Sequence, residues 1–167
     1  MSAMFSTRKK IGYRNYKRAL ALFVSRLKRK LGARLVSVAL YGSVARGAAR
    51  PDSDVDLLIV VESKSRRHAG ARRQILQVTL ELARQGFSVP FSPLILTRAE
   101  TDRNRFLYLD MTRDAILLFD RNGFFKTRLS KMVTRMKELG SVRTDLPDGS
   151  WYWDIKPDLR AGEVFEL

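Results

Sequence analysis

The stretch Leu35-Val36-Ser37-Val38-Ala39-Leu40-Tyr41-Gly42-Ser43-Val44-Ala45-Arg46-Gly47-Ala48-Ala49-Arg50-Pro51-Asp52-Ser53-Asp54-Val55-Asp56-Leu57-Leu58-Ile59-Val60-Val61 reads as two strands joined by a loop. Side chains at i and i+2 of a strand leave the same face. Asp54 and Asp56 therefore point one way, and Val55 and Leu57 the other. Leu57 to Val61 is apolar on both faces, as in a central strand covered on both sides. The two acids thus stand at the mouth of a buried strand, where core meets water.

Two neighbouring carboxylates repel unless a cation lies between them. Mg²⁺ takes oxygen ligands and commonly joins one or two carboxylates to substrate phosphates. In a two-metal site the ions lie about 3.5–4 Å apart, a span that two acids on one strand face can bridge. Taken without their context, Asp54 and Asp56 could equally be solvated acids at a strand entrance. The preceding turn argues otherwise. Gly42 lets backbone approach a ligand closely. The amides there and the Ser43 hydroxyl can hold phosphate oxygens. Arg46 and Arg50, in the same loop, can pair with phosphates bidentately. No Gly-Lys-Ser/Thr follows Gly47, so this is not a Walker loop, and no Gly-x-Gly-x-x-Gly occurs. The combination points to nucleotidyl transfer with Mg²⁺ and a nucleoside triphosphate.

Gly-Ser, ten residues, then Asp-x-Asp resembles the signature of the DNA polymerase beta-like nucleotidyltransferase superfamily. The form Gly-Ser-x-Ala-Arg-Gly … Ser-Asp-x-Asp-Leu is similar to its minimal nucleotidyltransferases, many of them antitoxins paired with a helical toxin of the HEPN class. The tail Trp151-Tyr152-Trp153-Asp154-Ile155-Lys156-Pro157 extends the resemblance. It implies that Asp54 and Asp56 are catalytic and hold the metal. It also implies that Gly42, Ser43, Arg46 and Ser53 bind the nucleotide, with ATP or another triphosphate as substrate. The family normally brings a third acid from the third strand, to hold metal or to take the proton of the attacking hydroxyl. Here that strand has none, and Ser92 stands at roughly the expected place. The nearest acids downstream are Glu100, Asp102, Asp110 and Asp114.

A chain of 167 residues with 45% hydrophobic content is expected to form one domain with a real core, residues 12–120, followed by a C-terminal helix and hairpin over 121–167. The absence of cysteine excludes a disulfide framework and a Cys-based zinc site, and fits a cytoplasmic location. No apolar run approaches the ~20 residues of a membrane span. The single His68 lies in a basic, polar run and reads as a surface residue. The net charge is +15, and no Asp or Glu occurs before Asp52. A basic face of this kind attracts triphosphates, RNA or an acidic protein.

Periodicity supplies the other elements. Tyr16, Leu20, Phe23, Leu27 and Leu31 mark a helix over 12–32. Ser63 to Arg67 is a polar break, and Ile75, Val78 and Leu82 mark a helix over 66–85. Phe87 to Leu96 is a third strand whose prolines predict an edge or bulged position. The Thr97–Glu100 capping box opens a helix to about 112. Ala115 to Phe119 is a fourth strand, and 120–123 is a turn. A helix over 124–139 carries the stripe Phe125, Leu129, Met132, Met136 and Leu139, which serves either core or partner. Val142 to Leu146 and Trp151 to Ile155 form a hairpin. Trp151, Trp153 and Ile155 share a face that packs on this chain, docks a partner or stacks on bases.

The expected fold is α/β, a small mixed sheet with helices mainly on one side and a C-terminal hairpin. The expected activity is Mg²⁺-dependent transfer of a nucleoside monophosphate to a hydroxyl. By resemblance the acceptor is a tyrosine of a HEPN toxin, which makes this chain an antitoxin. The non-enzymatic alternative is a module that neutralises a partner or binds RNA through basic and aromatic surfaces.

Overall fold

The computed structural model describes residues 11–62, 69–103 and 105–167. The polar break at 63–67 and His68 lie outside the described residues. Four strands form one mixed sheet in the order β3-β2-β1-β4, with β1 Leu35–Leu40, β2 Val55–Val61, β3 Phe91–Thr97 and β4 Ile116–Asp120. β1 runs antiparallel to β2 and β4, while β2 and β3 are parallel. β1 is buried along its whole length, as a central strand that is apolar at every position but Ser37 should be. Pro93 lies in edge strand β3, where a missing amide costs the sheet least.

Helices cover both faces of this sheet, a departure from the one-sided arrangement expected. α1 Tyr13–Leu31 and α3 Ala69–Ala83 pack with Leu57, Ile59 and Val61 on one face. α5 Phe106–Asp114 and α6 Phe124–Glu138 pack with Leu58 and Val60 on the other. The reason lies in β2 itself, whose apolar residues alternate between the two cores. The α6 stripe is core: Phe125, Met132 and Met136 are buried, and Phe125 meets Tyr108 edge-on at 5.6 Å.

The helix expected to run on from Thr97 is instead two. The capping box forms, with Glu100 accepting the Thr97 amide at 2.8 Å and the Thr97 hydroxyl accepting the Glu100 amide at 3.1 Å. α4 Arg98–Thr101 then ends after one turn, and α5 starts at Phe106. Arg128 of α6 takes the carbonyls of Thr101 and Asp102, groups that a continuing helix would use.

Asp120 joins the sheet to α6. Its carboxylate accepts the Ser37 hydroxyl at 2.5 Å and the Phe125 and Lys126 amides at 2.9 Å each. The hairpin, β5 Val142–Asp145 and β6 Trp151–Asp154, is a separate two-stranded sheet. Trp153 and Ile155 pack into the α5–α6 core, so their shared face serves this chain.

Candidate active site

The segment between β1 and β2 folds as the one-turn helix α2, Gly42–Ala45, followed by a loop that returns to Val55. The Tyr41 amide donates to the Asp56 carbonyl at 3.1 Å, which pins the start of α2 to β2. Gly42 has φ +72, and a Cβ built there would lie 2.2 Å from Asp56 Oδ2. Only glycine allows this turn to rest against that carboxylate. The amides of Gly42, Ser43 and Val44 open the first turn of α2, so helix geometry leaves them free to meet a ligand.

The loop is braced from the start of α1. Ile11 and Ala49 exchange amide–carbonyl bonds of 3.4 and 3.0 Å. A Cβ on Gly12 would lie 2.9 Å from the Gly47 Cα, so the two glycines meet backbone to backbone. Within the loop, Ser53 Oγ accepts the Arg50 amide at 2.9 Å. That closes the turn leading to Asp54 and engages the Ser53 hydroxyl locally. Arg50 is exposed.

Asp54 precedes β2 by one residue and is exposed; Asp56, the second residue of β2, is half-buried. Burial raises the Asp56 carboxyl above the ordinary aspartate range, the Asp54 charge raises it further, and Arg46 opposes both. The Tyr41 phenol is raised too, by burial and then by Asp56. Two crowded carboxylates, one strained towards its neutral form, make a hard-oxygen donor set that a divalent cation would relieve.

The parallel ladder sets Ser92 beside Asp56. Paired residues of neighbouring strands share a sheet face. Their successors Leu58–Leu94 and Val60–Leu96 all enter the α5–α6 core, so Ser92 lies on the same face as Asp56. No other acid completes the pair: among the described residues there is no group of three Asp, Glu, His or Cys able to hold a metal. Glu100 is engaged in its capping box. Asp110 accepts the indole N–H groups of Trp151 and Trp153 at 2.8 and 2.9 Å. A surface groove of about 520 Å³ between α5, α6 and Trp153 is mostly apolar and contains none of these residues.

One contact was not legible from the sequence. The Arg46 guanidinium lies 4.7 Å from the centroid of the Trp151 ring, and Arg143 lies 4.4 Å from the same ring. The hairpin therefore reaches the loop that carries Gly42 and Ser43. The shared face of Trp151 and Trp153 was a signal that they pack together, but not on what.

The site's electrostatics predict a pH-dependent stability change. Asp56 is harder to ionise folded than unfolded, so its charge costs stability above its raised folded value. Asp56→Asn should raise the melting temperature of the metal-free chain at neutral pH. The gain should shrink as pH falls through the raised range and vanish below the ordinary aspartate value. Thermal melts across pH check this, and a gain that persists at low pH would contradict it.

The turn supplies a second prediction. Ser43→Ala should weaken ATP binding by one or two hydrogen bonds to a charged acceptor, about 1.5–3 kcal/mol each. Gly42→Val should do worse, because its side chain would both occupy the Asp56 carboxylate and strain a left-handed backbone. Calorimetric ATP titration reads both effects. Wild-type affinity in both variants would exclude the turn from phosphate binding.

The fold and these residues have relatives. MJ1305 of Methanocaldococcus jannaschii, provisionally named a protein adenylyltransferase, is 26% identical over 125 residues, 74% of this chain and 84% of that protein. A crystal structure of a toxin–antitoxin with AMP-PNP aligns at a TM-score of 0.48 and 15% identity, covering 71% of this chain and 88% of that one. A mutant of the toxin–antitoxin MntA-HpeT aligns at 0.48 and 15%, covering 70% and 86%. These structural likenesses are too distant to carry the assignment, which rests on the family profile. That profile, the nucleotidyltransferase domain, matches residues 20–146 and so takes in β1, the Gly42–Ser43 turn, Asp54, Asp56 and β3. The chain belongs to the nucleotidyltransferase domain family.

Proposed function

We propose that this chain moves a nucleoside monophosphate from ATP, or another triphosphate, to a hydroxyl group with the help of Mg²⁺. The observation that carries the reading is the Asp56 carboxylate resting against the Gly42 turn, with Asp54 beside it. A phosphate grip and a metal-binding pair then meet at one strand mouth. Asp54 and Asp56 hold the metal. The amides of the Gly42–Ser43 turn and the Ser43 hydroxyl hold phosphate oxygens, Arg46 adds positive charge, and Ser53 shapes the loop that carries Asp54. When bound, Mg²⁺ supplies charge neutralisation on the phosphoryl oxygens. The acceptor oxygen attacks the α-phosphorus, its bond to the bridging oxygen breaks, and pyrophosphate leaves. Among the described residues no third carboxylate joins the pair to receive the acceptor's proton, and in this reading the proton passes to a base of the partner or to solvent.

The acceptor in this reading is a tyrosine of a HEPN-type partner, and the chain is the antitoxin of a cytoplasmic pair. The protein-adenylyltransferase name given to the M. jannaschii relative supports a protein acceptor. Residues 1–167 act as one nucleotidyltransferase domain. No described helix is long and apolar enough to cross a membrane. The test is incubation with labelled ATP, Mg²⁺ and the product of the adjacent gene, followed by mass analysis of both chains. A nucleotide on a partner tyrosine is the expected result, and label on neither chain would overturn transfer.

The missing third carboxylate favours one other reading, a non-catalytic module that neutralises a partner or binds RNA through its basic surface. Its binding would fall steeply as salt rises, because a polyanion releases counterions when bound. A flat dependence of log affinity on log salt would exclude it.

A further inference from the structure

We propose that Trp151 is a positioning residue, which holds the Arg46 guanidinium in place to grip the triphosphate. The inference rests on the phosphate-binding reading of the Gly42–Ser43 loop. Arg46 caps α2, three residues after Ser43, and its amide donates to the Gly42 carbonyl at 3.2 Å. Its backbone is therefore fixed to the turn, while its side chain is exposed. Among the described residues no carboxylate forms a salt bridge with it. A long, exposed arginine samples many rotamers, and ordering it costs affinity when a ligand binds.

Trp151 removes part of that cost. A cation–π contact holds the guanidinium by its charge rather than through a hydrogen-bond acceptor, so N–H donors remain for phosphate oxygens. The indole is itself held. Its N–H donates to Asp110 Oδ1 at 2.8 Å, and the same oxygen accepts Trp153 at 2.9 Å. Trp153 is anchored in the α5–α6 core. Across the hairpin, Asp145 pairs in register with Trp151 and binds Arg143 at 2.7 Å, and Arg143 stacks on the same indole. The ring is thus fixed from α5, from the core and from its own hairpin before Arg46 meets it.

The test is a double-mutant cycle on ATP affinity, measured by calorimetry on the full chain with Mg²⁺. Trp151→Ala should weaken ATP binding about three- to tenfold, the range of one cation–π contact. Arg46→Ala should weaken it at least as much. The double variant should be no weaker than Arg46→Ala alone, because Trp151 acts through Arg46. Trp151→Phe keeps a ring and should recover most of the loss, whereas Tyr152→Ala, on the exposed hairpin face, should change nothing. In a Trp153→Phe background, ATP should shift Trp151 emission, and Arg46→Ala should abolish the shift. Additive losses in the cycle, or wild-type affinity in Trp151→Ala, would overturn the proposal. If Trp151→Ala fails to fold, Trp151→Leu takes its place in the cycle and is read against the same two outcomes. A wild-type chain that does not bind ATP overturns the reading of the whole site. A chain that binds ATP, loses it with Ser43→Ala and ignores Trp151→Ala overturns this inference alone.

Discussion

Asp54→Asn and Asp56→Asn are each expected to abolish metal-dependent nucleotide transfer while leaving the fold intact. Each keeps the side chain's shape and removes one of two charges from a site that needs both to hold a divalent cation. Metal stabilisation of a phosphoryl transition state is worth several kcal/mol, so the loss should be roughly 10³-fold or more. The two variants differ in a way the structure explains. Asp56 is half-buried and rests against Gly42, so Asp56→Asn also relieves a strained charge and should raise the melting temperature without metal. Asp54 is exposed, so its replacement removes only the repulsion it exerts on Asp56 and should raise the melting temperature less. Transfer rates with the partner, together with melts in chelator, measure both effects. Wild-type transfer in either variant would remove that residue from the metal site.

The legible parts of this molecule are those whose causes are local. β1, the Gly42–Ser43 turn and β2 follow from alternation and a short motif, because strand periodicity and a glycine turn depend on adjacent residues. The hairpin was legible because Pro147-Asp148-Gly149-Ser150, a turn-forming run, separates its two strands, and β3 at the sheet edge from its prolines. The sequence departs from the structure where the cause lies far along the chain. α4 ends at Thr101, whose carbonyl accepts from Arg128, 27 residues away. An amphipathic stripe shows that a helix has a buried side, but not which face of the sheet receives it, so a layer of helices on each face was not expected. Asp110 is 41 residues from Trp151, and no local pattern marks it as the acceptor for two indoles. The Arg46–Trp151 stack joins the motif loop to the far end of the chain and leaves no trace in either segment. The site's carboxylates were therefore readable, and the bracing around them was not.

Ser92→Asp is expected to speed transfer, because it restores a carboxylate where the chain has none. The parallel register places Ser92 directly beside Asp56, on the face that Leu58, Leu94, Val60 and Leu96 continue into the core. The edge position of β3 leaves the residue half-buried, so a carboxylate there remains solvated enough to ionise. Of the four acids downstream, Glu100 is engaged in its capping box and Asp110 with two indoles, and among the described residues neither they nor Asp102 and Asp114 form a metal-holding group of three with the pair. A serine hydroxyl cannot accept a proton near neutral pH, whereas a carboxylate can. The gain should therefore approach the ~10²–10⁴-fold typical of general base catalysis, and it should be largest when the partner is absent. It carries a cost, since a third negative charge beside Asp54 and Asp56 will lower the metal-free melting temperature and raise metal affinity. Rates with and without partner, over a range of Mg²⁺ concentrations, separate these effects. A faster variant whose partner dependence disappears would show that the wild-type chain borrows its base. A variant that binds metal more tightly yet transfers no faster would show that proton removal does not limit the reaction.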